Sequence, residues 1–258
     1  MAYYYSNGEK RVHSVFFPPN FRALLLGESG TGKTVFLLYI LLADNILNYD
    51  KLYIFARSLY QLEYQVLEAG LRHNLTKQNI AKLMGSEEFT TKNNLTINDT
   101  AQLIKQYQDT YENKNPPVIE YEFSSDPCSI PDPSELDMQK RNLIVFDDIM
   151  TERKQTTAEN FYTRGRSANC DCIYLSQNYT KLPLHTIRSN ANFMVFFKST
   201  PIVVEQLWRN FSSTDMKLKE WKKFCDNSWN KPFGYIIIDK SRTYESGNKY
   251  RDSLCLKY

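Results

Sequence analysis

The residues GESGTGKT at positions 27–34 restrict the fold of this chain more than any other stretch. The apolar run FRALLL at 21–26 comes directly before them and suits a buried strand. The apolar run TVFLLYILLA at 34–43 follows and suits a helix packed between two layers. A match to GxxxxGKT between a strand and a helix has the context that a phosphate-binding loop requires. The chain is therefore predicted to begin as an α/β protein that binds a nucleotide.

The chemistry of such a loop comes from its backbone. Glycines let N–H groups wrap around an anion at the start of a helix, where the helix dipole also favours negative charge. Lys33 is predicted to reach the β- and γ-phosphates, and Thr34 to ligate Mg²⁺. The residues predicted to bind ATP are Gly27, Glu28, Ser29, Gly30, Thr31, Gly32, Lys33 and Thr34.

Further apolar runs predict a mostly parallel sheet with helices on both faces, in one P-loop domain over 1–258. Strands are expected at 51–56, 142–146, 172–176, 193–197 and 235–239. Helical patterns occupy 59–84, 98–111, 158–167, 202–210 and 215–224. The part from 200 to 258 is read as C-terminal helices and a final strand.

The segment 85–140 differs from its surroundings in charge. It holds four Lys/Arg and eleven Asp/Glu, whereas the whole chain has a net charge of +3. Stretches such as NKNPP and SSDPCSIPDPSE add turn-forming residues. We predict an acidic, loop-rich insertion here, which leaves the rest of the chain clearly basic.

Composition excludes several classes of protein. The N-terminus lacks an apolar leader, and the longest apolar stretch, 35–43, is too short to span a bilayer, so we expect no membrane span and an intracellular location. Five scattered cysteines indicate neither a disulfide framework nor a zinc site. Cys170 and Cys172 alternate along a predicted strand, and we expect small buried side chains there.

Two acids directly after the predicted strand at 142–146 supply the second half of a nucleotide site. Asp147 stands where the Mg²⁺ of a bound nucleotide needs a carboxylate, and Asp148 is placed to polarise an attacking water. The alternative is that both acids simply begin a solvated loop.

The strand at 172–176 runs into three polar residues, Ser176, Gln177 and Asn178, before any turn signal. The order of strands is that of P-loop ATPases with an extra strand between the P-loop strand and the metal-site strand. The end of that extra strand emerges beside the γ-phosphate, so Gln177 is predicted to contact the γ-phosphate or the attacking water. The alternative is a strand-end residue bonded to nearby backbone. Ser176 and Asn178 are expected to be structural.

Four motifs in this order resemble those of the poxvirus-type viral genome-packaging ATPases, which have relatives in virophages, Polinton-like elements and other large DNA viruses. The motifs are FRALLLGESGTGKT, LIVFDD, FYTRGRSANCDCIYLSQNYTKLP and HTIRSNANFMVFFK. The resemblance covers about 21–198 in patches, without the acidic segment, and places the chain near the FtsK and HerA superfamily. Two departures stand out: the family often has Arg-His where this chain has Arg166 and Ser167, and many relatives have Glu where it has Asp148.

The resemblance implies an ATPase that moves double-stranded DNA into a preformed capsid, working as a homo-oligomeric ring, pentameric or hexameric, in the host cytoplasm or a viral factory, or bound to the virion. It gives Lys33, Thr34, Asp147, Asp148 and Gln177 the roles above. In such rings an arginine of the neighbouring subunit completes each site. The candidates are Arg164, Arg166 and Arg188, each of which could instead be a surface or phosphate-backbone contact.

Two stretches are candidate DNA contacts, because a translocase without sequence preference binds phosphates through Lys and Arg. These are TERK at 151–154 and KLKEWKK at 217–223, the second of which also fits the solvated face of an amphipathic helix. Two other functions stay open: a related translocase or helicase for replication or conjugation, and a nucleotide-dependent capsid-assembly switch that moves no DNA.

Overall fold

The computed structural model describes residues 13–86, 118–149 and 155–256, and in these residues the chain forms eight strands and six α-helices. The strands are β1 (Arg22–Leu26), β2 (Lys51–Ala56), β3 (Glu120–Ser124), β4 (Asn142–Asp147), β5 (Cys170–Ser176), β6 (Phe193–Phe197), β7 (Tyr235–Asp239) and β8 (Tyr250–Arg251). The helices are α1 (Lys33–Leu42), α2 (Leu62–Arg72), α3 (Lys77–Met84), α4 (Gln155–Arg164), α5 (Pro201–Leu207) and α6 (Leu218–Trp229).

All eight strands join one sheet in the order β3-β2-β4-β5-β1-β6-β7-β8. Every pairing from β3 to β6 is parallel, while β7 is antiparallel to β6 and β8 is antiparallel to β7. The predicted mostly parallel sheet is confirmed, with two antiparallel pairings at one edge.

Helices cover both faces of the sheet, as predicted. Alternate residues of a strand point to opposite faces, so each buried strand feeds two cores. Ala23 and Leu25 of β1 pack in the core that contains the apolar side chains of α1, α2 and α3. Leu24 and Leu26 pack in the core formed with α4, α5 and α6. Both faces of the sheet are therefore dry, which explains the unbroken apolar runs in the sequence.

The predicted extra strand is confirmed as β5, which pairs with β4 on one side and with β1 on the other. It begins at Cys170, two residues before the predicted start. Cys170 and Cys172 are both buried, as predicted, and burial raises the pKa of both thiols. Because β1, β5 and β4 are adjacent and parallel, the carboxyl ends of all three strands lie at one edge of the sheet.

Two strands were missed from the sequence. The segment 85–140 is not loop throughout, because β3 lies within it and pairs with β2 at the edge of the sheet. Its sequence EYEFS alternates polar and apolar residues, and Tyr121 and Phe123 pack against the core, as expected of a half-buried edge strand. The final strand is β8 rather than β7, and with two residues it is too short to leave a periodic pattern.

The helical pattern at 59–84 forms two helices rather than one. Asn74 has a left-handed backbone, with φ of 55°, and ends the turn after α2. The side chain of Thr76 then accepts the N–H of Asn79 and caps the start of α3. In the C-terminal part the predicted helix at 215–224 is α6, which starts later and runs to Trp229.

Three sequence predictions lie outside the described residues: the helix at 98–111, most of the acidic segment, and the basic stretch at 151–154. Among the described residues, every helix is too short or too polar to cross a bilayer.

Candidate functional site

The loop between β1 and α1 has the backbone of a phosphate-binding loop. Gly30 and Gly32 have φ of 74° and 102°, values that residues with a side chain rarely adopt. Gly27 is buried, and a Cβ there would lie 2.6 Å from Cβ of Phe197 on β6. Gly32 is the N-cap of α1 and provides no side-chain cap. The first N–H groups of the helix therefore face the loop, where the positive end of the helix dipole also lies.

Lys33 is folded over this loop. Its ammonium group donates hydrogen bonds of 2.7 Å to the carbonyl oxygens of Gly27 and Glu28. Burial lowers the pKa of Lys33, and the nearby carboxylates of Asp147 and Asp148 partly offset that effect. The cation thus lies at the centre of the loop, with its charge balanced by the acids on the neighbouring strand.

The ends of β4, β5 and β1 bring the two halves of the predicted site together. The N–H of Gly27 donates to the carbonyl of Ser176 at 3.3 Å, and the N–H of Asp148 donates to the carbonyl of Leu175 at 3.3 Å. A cleft of about 640 Å³ lies over these strand ends, a size typical of a small-ligand site. Its lining includes Ser29, Gly30, Gly32, Lys33, Thr34, Asp147, Asp148 and Gln177.

Asp147 is the last residue of β4 and is held by a residue that sequence reasoning missed. The hydroxyl of Tyr64, on α2, donates to the Asp147 carboxylate at 2.6 Å. Burial raises the pKa of Asp147, and the Tyr64 hydrogen bond opposes that rise. Tyr64 itself is fully buried. No motif marks Tyr64, because only the packing of α2 against the sheet places its hydroxyl at the carboxylate.

Asp148 has a left-handed backbone with φ of 53°. Asp and Asn tolerate this region better than most residues. The amide of Gln177 donates to the Asp148 carboxylate over 3.4 Å, at the long limit of a hydrogen bond. Asp148 and Gln177 therefore lie next to each other in the lining of the cleft.

Ser176 and Asn178 take part in local turns, as predicted. The hydroxyl of Ser176 accepts the N–H of Asn178 at 3.1 Å. The side-chain oxygen of Asn178 accepts the N–H and the hydroxyl of Thr180, at 3.1 and 2.8 Å. Of the three polar residues that end β5, Gln177 is the one whose side chain turns toward the acids.

The residues present suit Mg²⁺ better than a metal held by protein ligands alone. Thr34 and Asp147 both line the cleft and offer one hydroxyl and one carboxylate. Within the described residues there is no group of three or more His, Cys, Asp or Glu that could cage an ion. Mg²⁺ in phosphate-transfer sites typically takes one or two protein oxygens and completes its shell with water and phosphate oxygens.

Two of the candidate arginines lie far from this cleft in the same chain. Arg164 and Arg166 precede the start of β5, whereas the cleft lies at its end, roughly 20 Å away for a strand of this length. Arg164 forms an ion pair of 2.9 Å with Asp132. Arg166 is exposed in a short 3₁₀ turn. Both stay predictions for a role in a neighbouring site.

Arg188 is placed differently from the other two arginines. It lies in a turn of π-helix, Leu184–Arg188, on the crossover from β5 to β6. Its guanidinium group is half-buried and packs over the ring of Tyr179, 4.9 Å from the centroid. A finger for another subunit needs a side chain that can reach outward, so Arg188 suits that role less well than Arg166.

The basic stretch at 217–223 forms the start of α6. Trp221 is fully buried and donates its indole N–H to the carbonyl of Val204 at 2.9 Å. Lys222 forms an ion pair of 2.7 Å with Glu205. These contacts match the amphipathic-helix interpretation of the stretch.

No family model matches the chain, and no curated protein matches it. Solved structures do. The DNA-packaging ATPase from Sulfolobus Turreted Icosahedral Virus is 12% identical, with 90% of this chain and 96% of that chain covered and a TM-score of 0.49. VirB4 of Thermoanaerobacter pseudethanolicus is 12% identical, with 93% and 94% covered and a TM-score of 0.47. The cytoplasmic domain of the Type VII secretion ATPase EccC of Thermomonospora curvata is 12% identical, with 94% and 27% covered and a TM-score of 0.40. The P-loop fold itself is identified by the strand order and by the loop at 27–34.

Proposed function

We propose that the chain binds ATP with Mg²⁺ in the cleft at the carboxyl edge of its sheet and hydrolyses it. One observation carries this proposal: β5 is inserted between β1 and β4, so that Lys33, the two acids and Gln177 line a single cleft. A P-loop alone would support binding only. The acid pair and the polar end of β5 add what hydrolysis needs.

We assign a role in this reaction to each residue of the cleft. The backbone N–H groups of the loop and the Lys33 ammonium bind the β- and γ-phosphates and neutralise charge that develops on them. Thr34 and Asp147 would hold Mg²⁺, which would supply positive charge to offset the charge of the phosphates. Asp148 accepts the proton of the attacking water, and Gln177 orients that water or contacts the γ-phosphate.

We further propose that hydrolysis drives movement of double-stranded DNA into a preformed viral capsid. The support is the resemblance of four ordered motifs, from the P-loop to the strand at 193–197, to packaging ATPases. The chain outside 85–140 is basic, as a protein that tracks DNA phosphates requires. The working form would be a homo-oligomeric ring in the infected cell, docked on a capsid protein, with Arg166 or Arg164 completing the neighbouring site.

The alternatives differ in what DNA does to turnover. A motor, whether for packaging or for another translocation task, hydrolyses ATP faster when double-stranded DNA is present. A switch that binds ATP during capsid assembly does not. An ATPase assay of the full chain with and without double-stranded DNA separates the two.

Lys33→Ala is the control for the site, and Lys82→Ala, an exposed lysine on α3, is the matched control for loss of a lysine elsewhere. We expect Lys33→Ala to abolish DNA-stimulated hydrolysis and Lys82→Ala to leave it unchanged. Intact hydrolysis in Lys33→Ala would show that the cleft is not the site. Equal ATP turnover of the wild type with and without double-stranded DNA would favour the switch.

A further inference from the structure

An exposed aromatic ring lies at the end of the cleft away from the acids. Phe233 is 65% exposed and lines the same cleft as Lys33 and Asp147. Its ring rests on the phosphate-binding loop, because a Cβ on Gly32 would lie 3.0 Å from Cδ1 of Phe233. Val35, which follows the loop on α1, is also exposed and lines this end of the cleft. This end therefore presents apolar side chains beside a loop built for phosphates.

The backbone holds Phe233 in this position at a cost. The N–H of Gly234 donates to the carbonyl of Lys231 at 3.0 Å and closes a turn in which Pro232 is second and Phe233 third. Phe233 has φ of 53°. A turn with Pro second and positive φ third is of type II, and its third position favours Gly or Asn. A bulky residue there is strained, and Phe233 gains little burial in return.

Other positions in the chain show how unusual this is. The remaining non-glycine residues with positive φ are Asn20, Asn45, Asn74, Asp148 and Asn169, all of the types that tolerate this region. Phe233 is the exception among the described residues. Gly234 is fixed by close packing, since a Cβ there would lie 2.0 Å from the carbonyl oxygen of Ser228. Strain of this kind concentrates at functional sites.

We propose that Phe233 stacks on the base of the bound nucleotide and makes the site select purine nucleotides. This rests on the proposed function, since it assumes that phosphates occupy the loop. β5 and the acids lie on one side of β1, whereas β6 and the turn before β7 lie on the other. With the γ-phosphate at the acids, the nucleoside extends past the start of α1 toward Phe233. A ring face offers stacking area and no base-edge hydrogen bonds, so it favours bicyclic over monocyclic bases.

Binding measured by calorimetry, without turnover, tests the proposal. The ligands are a non-hydrolysable ATP analogue, the corresponding CTP analogue, and inorganic tripolyphosphate, each with Mg²⁺. The variants are Phe233→Gly, Phe233→Tyr and, as a matched control, Met138→Ala, which removes an exposed apolar side chain before β4 at the opposite edge of the sheet. Thermal unfolding of each variant is recorded in parallel.

We expect Phe233→Gly to bind the ATP analogue about tenfold more weakly or worse, the scale of one lost base–aromatic stack, and to bind tripolyphosphate as the wild type does. Phe233→Tyr should retain both ligands. Glycine suits the left-handed backbone, so Phe233→Gly should unfold at the same or a higher temperature than the wild type. The wild type should bind the CTP analogue more weakly than the ATP analogue, and Phe233→Gly should narrow that difference.

Two results would overturn the stacking role while leaving the proposed function intact. One is wild-type affinity of Phe233→Gly for the ATP analogue. The other is an equal loss for tripolyphosphate and the ATP analogue, which would make Phe233 a support for the loop. A wild type that binds neither ligand would instead remove the proposed function itself.

Discussion

The two ends of the cleft are built in opposite ways. At the polar end Asp147 is the last residue of β4, Asp148 comes next, and Gln177 directly follows β5. The carboxyl ends of these strands meet because the two are adjacent and parallel. At the apolar end Phe233 reaches the loop from a turn that lies about 200 residues further along the chain. The order of the strands brings the residues of the polar end together, and sequence motifs predict that order. Tertiary packing alone brings Phe233 to the loop at the apolar end, and no sequence motif predicts it.

Both ends nevertheless use a non-glycine residue in the left-handed backbone region, Asp148 at one and Phe233 at the other, each with φ of 53°. Such a backbone costs about 1–2 kcal/mol for most residues. On the proposed function, the polar end carries the chemistry and the apolar end binds the nucleoside, and the cost of the left-handed backbone falls mainly on Phe233. A substitution at the polar end that altered nucleotide binding as much as turnover would contradict this division of roles between the two ends.

The largest effect is expected for Asp148→Asn. Asparagine tolerates the same backbone, so the fold should persist while the proton acceptor is lost. We expect turnover to fall by about 10² to 10⁴, the usual contribution of a general base, with ATP affinity within about twofold of wild type. Single-turnover hydrolysis and equilibrium binding measure the two quantities. A parallel loss of affinity would remove the division between the ends.

Gln177→Ala should have the next largest effect. The Gln177 amide is 3.4 Å from the Asp148 carboxylate. Removing the amide therefore leaves Asp148, the proposed general base, in place but less well oriented. We expect turnover to fall about tenfold, which corresponds to about 1.4 kcal/mol of transition-state stabilisation. Gln139→Ala, at an exposed glutamine near the opposite edge, is the control.

A second measurement on Gln177→Ala shows whether Gln177 couples hydrolysis to DNA movement or to the neighbouring subunit. If it couples hydrolysis to DNA movement, the variant should hydrolyse ATP without moving DNA in a translocation assay. If it reports to the neighbouring subunit, the dependence of turnover on ATP concentration should lose cooperativity. Wild-type behaviour in both assays would leave Gln177 as a strand-end residue bonded only to its surroundings.

A residue of the candidate site could be predicted from the sequence only where the local sequence, and not tertiary packing, places it in the cleft. Asp147 and Gln177 stand at the ends of the apolar runs that mark β4 and β5, and Lys33 belongs to the GxxxxGKT motif that follows β1. Tyr64 could not be predicted, because its place on α2 sets its distance to Asp147 only once that helix packs on the sheet. The sequence of the edge strand β3 alternates polar and apolar residues, which is typical of a strand. The acidic and turn-forming residues around it led to the prediction of a loop instead. The two-residue β8 carries no pattern.

Tyr64→Phe probes the support of Asp147, the proposed Mg²⁺ ligand. The change removes a hydrogen bond of 2.6 Å to Asp147 and should cost about 1.5–3 kcal/mol of interaction with the charged carboxylate. We expect the Mg²⁺ concentration for half-maximal turnover to rise several-fold. The acidic limb of the pH–rate profile should also move to higher pH, because the hydrogen bond holds the pKa of Asp147 down.

Tyr174→Phe is the matched control for Tyr64→Phe. Tyr174 lies on β5, and its buried hydroxyl has no hydrogen-bond partner among the described residues. Removing it should leave the Mg²⁺ dependence unchanged and should stabilise the fold slightly or not at all. Equal effects of the two changes on Mg²⁺ dependence would show that Tyr64 acts through packing and not through its hydroxyl.

The smallest effect expected is on stability, which should rise slightly in Asp147→Asn. Burial raises the pKa of Asp147 above the ordinary value of 3.8, so the folded state binds that proton more tightly than the unfolded state does. The free energy of unfolding therefore falls as pH rises from about 4 through the raised pKa, and the cost of the buried charge is fully present at neutral pH.

Asparagine at position 147 carries no charge and avoids the cost of burying one. We expect a gain in the free energy of unfolding at pH 7 that shrinks at pH 4. Denaturant unfolding at both pH values measures it, with Asp226→Asn, an exposed acid on α6, as the control. A gain that does not change with pH would mean that the charge of Asp147 is not what costs stability at the polar end.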